Sequence, residues 1–162
     1  MTNSAASTTP IEAGAPAPDL TLLDDQGTPV ALRGLTGTRV VLYFYPKDDT
    51  PGCTTQACAL RDSWSEFDAV DDLLVYGVSP DDAASHQKFR TKHDLPFHLL
   101  VDEDHKLADA FGLWVEKSMY GKKYWGIERS TVILAADGTV QAVKRKVKPG
   151  EHVDWLRGEL GL

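Results

Sequence analysis

Long apolar runs are missing from this sequence. No stretch approaches the roughly 20 consecutive apolar residues that a membrane-spanning helix requires, so no membrane partner is expected. An excess of basic charge is missing too. Seventeen Lys and Arg face 24 Asp and Glu, a formal net charge of −7, which speaks against nucleic acid or anionic lipid as a partner, since both need a basic face. Met1 to Pro10 carries neither a basic cluster nor an apolar stretch, so no signal peptide is read there and a cytoplasmic protein is expected. Cysteine is scarce, with only Cys53 and Cys58. A bridge between positions so close would constrain little of the unfolded chain and would make a poor structural staple. A structural zinc site normally takes four Cys or His ligands. The five histidines, His86, His93, His98, His105 and His152, show no paired spacing, and no metal is expected.

What remains is the composition of an ordinary globular chain, 42% hydrophobic and 25% charged. Residues 1–15, rich in Ala, Ser, Thr, Pro and Gly, read as a flexible N-terminal tail, and residues 16–162 as a single domain. Leu20–Leu23 and Val30–Leu32 flank Asp24-Asp25-Gln26-Gly27 as a short hairpin would. Val40–Tyr45 is an unbroken β-branched and aromatic run, the pattern of a strand covered on both faces. After Pro46 and a polar turn, the stretch from Cys53 to Asp68 has Leu60, Trp64 and Phe67 at helical spacing.

Leu73–Val78 and Phe97–Val101 read as further strands. Between them Ser79-Pro80-Asp81-Asp82 opens a helix, with Ser79 as the expected cap. His105–Phe111 reads as a short helix ended by Gly112, with Asp102-Glu103-Asp104 complementing its dipole. Leu113–Ile127 reads as a hairpin-like excursion about Tyr120-Gly121. Thr131–Leu134 and Val140–Val143 read as strands around Asp137-Gly138, and a last amphipathic helix carries Val153, Leu156 and Leu160. This order predicts an α/β domain with a mixed central sheet flanked by helices, compatible with a thioredoxin-like fold.

Chemistry concentrates between Pro46 and Cys58. Cys53 stands where a buried strand has ended and a helix begins, and free backbone N–H groups with the positive helix end favour an anion there. A thiolate is the reactive form of cysteine, so the position itself is activating. The alternative is a small buried hydrophobe, but Cys53 follows Pro51-Gly52 at a turn and not an apolar run. Helix geometry adds a constraint. Residues five apart in one helix have Cα atoms about 8.7 Å apart, beyond the ~7 Å a disulfide tolerates. Two cysteines in one helix could bond only after its first turn opens, which suits a cycle better than a staple.

The motif Pro46, Thr50, Cys53 resembles the active-site signature of peroxiredoxins. The fuller run from Tyr43 to Pro46 and from Thr50 to Cys58 is similar to the bacterioferritin comigratory protein, or peroxiredoxin Q, subfamily. The similarity runs from about Pro16 to the last helix and takes in Val78-Ser79, Asp102–His105 and Gly126–Thr131. The resemblance implies a thioredoxin-like fold and a peroxidase acting on hydrogen peroxide and organic hydroperoxides. It assigns Cys53 as the attacking thiol and Cys58 as the resolving one. Thr50 would hydrogen-bond the peroxide, Pro46 would shield the pocket, and Arg129 would stabilise the sulfur's charge. No cofactor is implied, and thioredoxin or a similar dithiol would recycle a monomeric enzyme.

Read without the resemblance, Arg129 pairs with Glu128 or another surface acid, Thr50 is a turn residue, and Pro46 ends a strand. Trp114, Tyr120, Tyr124 and Trp125 line a pocket entrance or a docking face for the reductant, or simply pack. His86, His93 and His98 read as surface or turn residues. Two rival functions stay open. A thiol–disulfide reductase would carry a C-x-x-C pair, which this chain lacks. A redox sensor would oxidise without sustained turnover.

Overall fold

The computed structural model describes residues 10–162. The chain opens with β1 (Thr21–Asp24) and β2 (Pro29–Ala31), then β3 (Arg39–Phe44). Next come α1 (Pro51–Asp62), α2 (Trp64–Asp68), β4 (Leu73–Ser79), α3 (Ala83–His93), β5 (His98–Val101) and α4 (Lys106–Ala110). The ribbon β6 (Trp114–Met119) and β7 (Lys122–Ile127) follows, then β8 (Ser130–Leu134), β9 (Val140–Lys144) and α5 (His152–Leu160). Seven strands form one sheet in the order β2-β1-β5-β4-β3-β8-β9, and β6 pairs with β7 alone. The sheet is mixed. β3, β4 and β5 run parallel, whereas β8 is antiparallel to β3 and β1 antiparallel to β5.

β3 lies inside this sheet, between β4 and β8, which is why its sequence is apolar without interruption. Its side chains alternate between two cores. Val40, Leu42 and Phe44 pack with Leu107, Phe111, Val132 and Leu134 on one face. Val41 and Tyr43, with Tyr45 just beyond the strand, pack with Cys53, Ala57, Leu60, Phe89, Leu156 and Leu160 on the other. The second face therefore carries α1, α3 and α5, and it is the face on which both cysteines lie.

Three boundaries differ from the sequence reading. The helix expected from Cys53 to Asp68 starts two residues earlier, at Pro51, and breaks at Ser63 into α1 and α2. Proline at the first helical position is pre-set for a helix start. The cap of α3 is Asp82, whose side chain accepts from the Ser85 N–H, and not Ser79. Ser79 is the last residue of β4 and buried, and its hydroxyl bonds Asp81 in the turn instead. Residues 1–9 of the expected tail lie outside the described residues. Residues 10–15 are tied to the body: Ile11 N–H donates to the Ala110 carbonyl, and Gly14 and Ala15 exchange bonds with Val140.

Candidate active site

β3 delivers the chain to Tyr45, fully buried, and a five-residue segment, Pro46 to Thr50, turns it into α1. Thr50 is the N-cap residue with extended backbone, and Pro51 the first helical residue. The first bond of the helix runs from Thr54 N–H to the Thr50 carbonyl. The N–H groups of Gly52 and Cys53 precede it and lie at the positive end of the helix, where an anion is stabilised. Cys53 is thus in the first turn. It is 1% exposed, packed against the second core, and a free thiol, as is the half-buried Cys58.

The cation expected beside the sulfur is there. Arg129 donates from Nη2 to Cys53 Sγ at 3.3 Å and from Nη1 to Gln56 Oε1 at 2.7 Å. Its neighbour Glu128 pairs with Arg145 at 2.7 Å, so the surface pair between Glu128 and Arg129 does not form. Gln56 is completely buried and lies one turn beyond Cys53 on α1. Its role was missed in the sequence, though the three-residue spacing that puts it on the face of Cys53 was a usable signal. Gly52 completes the fit: a Cβ there would stand 3.1 Å from Arg129 Nη2. The guanidinium thus sets a fixed positive charge against the sulfur of Cys53.

The remaining expected residues are placed as follows. Pro46 and Thr50 are half-buried and flank the start of α1. The Thr50 hydroxyl donates to the Lys47 carbonyl at 2.9 Å, which leaves its oxygen's acceptor capacity unused in that bond. The Tyr43 hydroxyl is buried and has no partner among the described residues. Its pKa is raised well above the usual range, by burial first and then by the negative charge of Cys53 and Asp48. Lys117, on β6, has its pKa lowered by burial and by the like charge of Arg129.

The histidine reading needs correction. His86 is neither a surface nor a turn residue but fully buried in α3, bonded to Asp48 and to the Leu100 carbonyl. Its role was concealed because α3 shows little apolar periodicity around it. Tyr120, Tyr124 and Trp125 stand exposed on the β6–β7 ribbon, while Trp114 stacks on His105 with ring centroids 3.8 Å apart. No group of three or more potential metal ligands occurs among the described residues, nor any helix long and apolar enough to cross a membrane.

Comparison with known proteins identifies the family. Residues 13–143 match the AhpC/TSA family. The chain is similar to peroxiredoxin Bcp of Bacillus subtilis, 52% identical over 143 residues, covering 88% of this chain and 90% of that protein. It is also similar to peroxiredoxin Bcp of Escherichia coli, 44% identical over 152 residues and covering 91% and 97%. Among solved structures, the bacterioferritin comigratory protein of Xanthomonas campestris, studied for alkyl peroxide reduction, superposes with a TM-score of 0.84. It is 40% identical, and the match covers 93% of this chain and 98% of that one.

Proposed function

Because the chain belongs to the AhpC/TSA family and is a peroxiredoxin, a thiol peroxidase of thioredoxin-like fold, we propose that Cys53 attacks the peroxide and Cys58 resolves the product. The observation that carries this division of labour is the 3.3 Å contact from Arg129 to Cys53 Sγ in the first turn of α1. Cys58, one and a half turns further on, has no such cation donating to its sulfur among the described residues.

The chemistry follows from that arrangement. The Cys53 thiolate sulfur attacks the terminal oxygen of a hydroperoxide. A sulfur–oxygen bond forms, the O–O bond breaks, and the departing oxygen takes up a proton and leaves as water or an alcohol. Sulfur is oxidised by two electrons to a sulfenic acid. Arg129 and the N–H groups of Gly52 and Cys53 stabilise negative charge as it moves from sulfur to oxygen, and because they are already in place they need no reorganisation. Thr50 offers its hydroxyl oxygen to the proton of the peroxide, and Pro46 covers the pocket against water. The Cys58 thiolate then attacks the Cys53 sulfur, forming the disulfide and expelling hydroxide, which leaves as water. An external dithiol of the thioredoxin kind returns both cysteines to thiols by exchange. The deep burial of Cys53 suits a substrate that presents only a slender O–O end, so hydrogen peroxide and organic hydroperoxides both fit this scheme.

Stopped-flow mixing of reduced protein with hydrogen peroxide, followed by mass mapping of the disulfide, tests the assignment. Cys53→Ser is expected to lose peroxide reduction entirely. Cys58→Ser is expected to oxidise once, fail to be recycled by thioredoxin, and over-oxidise more readily. Sustained turnover by Cys53→Ser would overturn the reading, and oxidation without turnover in the wild type would favour a sensor.

A further inference from the structure

Beyond the bond from the Thr50 hydroxyl to the Lys47 carbonyl, the segment that carries Pro46 and Thr50 to the site is held by groups outside it. Asp49 within it has φ +59°, a left-handed conformation that costs an L-residue energy and persists where the surroundings offset that cost. Those surroundings belong to α3. Asp49 meets Lys92 at 2.7 Å and His93 at 3.0 Å, both on the exposed side. Asp48, only 8% exposed, points inward. Its Oδ1 accepts from the Tyr45 hydroxyl at 2.6 Å, and its Oδ2 from the Ser85 hydroxyl at 2.8 Å and from His86 Nδ1 at 2.7 Å. Its backbone N–H donates to Asp81 at 2.8 Å.

His86 is the central member. Its Nε2 lies 2.8 Å from the Leu100 carbonyl oxygen, which can only accept, so Nε2 carries a hydrogen. Its Nδ1 faces a carboxylate already receiving two hydroxyl donors, the environment of an ionised acid, so Nδ1 carries a hydrogen too. A ring with acceptors at both nitrogens and no exposure is an imidazolium closed inside an ion pair. A neutral ring would leave one nitrogen lone pair against an oxygen lone pair in a buried place.

We infer that His86 is a positioning residue: as an imidazolium it acts through Asp48 to fix the Pro46–Thr50 segment in front of Cys53, and losing its proton at alkaline pH frees that segment and slows attack on peroxide. The second half of this inference rests on Cys53 being the attacking thiol.

The groups facing the ring bear out the sign. Asp48 comes from the segment after β3 and Asp81 from the turn before α3, both acidic. Tyr45, just after β3, bonds Asp48, and β5 contributes the uncharged Leu100 carbonyl. Burial opposes charge on the ring, but the Asp48 hydrogen bond and charge, aided by Leu100 and Asp81, outweigh it and raise the pKa above the ordinary 6.5. The folded protein therefore holds this proton to higher pH than a free imidazole does and gives it up as pH rises through that raised value.

The test has two arms on the full-length protein. Ring ¹⁵N shifts of His86 are measured by NMR in wild type and in Cys53→Ser, where the outcome is independent of peroxidase chemistry. Both nitrogens are expected to be protonated at pH 7, and Asp48→Asn to bring the ring towards neutrality. A ring neutral at pH 7 would sink the inference. In single-turnover reactions with hydrogen peroxide, the wild-type rate is expected to fall on the alkaline side. His86→Gln, which cannot titrate, is expected to react about tenfold to hundredfold more slowly at pH 7 and to show no alkaline fall. A wild-type rate and pH profile in His86→Gln would refute the positioning role even if the ring proves charged.

Discussion

At the scale of single residues, the site depends on where one guanidinium is sent. Glu128 and Arg129 are consecutive, and read along the chain they invite pairing. Consecutive residues of an extended segment point to opposite sides, and here Glu128 goes outward to Arg145 while Arg129 goes inward to Cys53 and Gln56. Arg129→Met is expected to slow the reaction of Cys53 with peroxide by about 10²–10³-fold, the size of effect found when one preorganised donor is removed from a charge-stabilising site. Arg129→Lys should recover only part of this, because an ammonium cannot span sulfur and carboxamide as the planar fork does. The stopped-flow rate constant checks both, and equal rates for wild type and Arg129→Met would remove Arg129 from the mechanism.

At the scale of elements, α1 decides the catalytic cycle. Both cysteines lie in it, and five helical residues separate Cα atoms by about 8.7 Å, too far for a disulfide. A bond between Cys53 and Cys58, as proposed, therefore requires the helix between them to open. The first turn is built for a low cost: Gly52, Thr54 and Thr55 are poor helix formers, and the Thr55 hydroxyl bonds back to the Pro51 carbonyl, as Thr does where helices bend. Amide hydrogen exchange of the reduced and disulfide forms is expected to show lost protection over residues 53–58 on oxidation. Unchanged protection would mean that the two sulfurs do not bond to one another. The far end of the helical region shows why length was misread. The apolar spacing runs on to Phe67, but Arg157 of α5 reaches Ser63 and Glu66, and the chain breaks at Ser63, where a partner from the far end of the sequence docks.

At the scale of the whole molecule, two buried histidines pull stability in opposite directions with pH. His152 of α5 bonds Thr131 at 2.9 Å, and its other ring nitrogen has no partner among the described residues. Burial, and then the nearby Arg129, lower its pKa to about 3. The unfolded chain takes up a proton near 6.5 that the native ring refuses, so this residue withdraws stability as pH falls from about 6.5 towards 3. His86 has a raised pKa, so its stabilisation is fully present below 6.5 and is lost as pH rises through the folded value. Urea midpoints followed from pH 7 to 4 should decline less steeply in His152→Asn than in wild type. An identical slope would show that His152 is not the group excluded from protonation.

Local chemistry was legible because its causes are local. Alternating or unbroken apolar runs define strands whatever lies beyond them, Tyr120-Gly121 and Asp137-Gly138 define turns, and Pro51-Gly52 after a buried strand marks the start of the helix that carries Cys53. The sequence by itself therefore determined the strands, the helices within a few residues, and the placing of Cys53 and Cys58 on one helix after a buried strand. Only the tertiary structure decided which groups meet across the chain. Arg129 reaches Cys53 over 76 residues, His86 reaches Asp48 over 38, and His152 comes to Thr131 by the closing of α5. Contacts of that separation form because the sheet order brings β8 beside β3 and lays α1, α3 and α5 on one face. A charged or ionisable side chain carries no periodic signal of its partner, and burial alone makes the pairing obligatory.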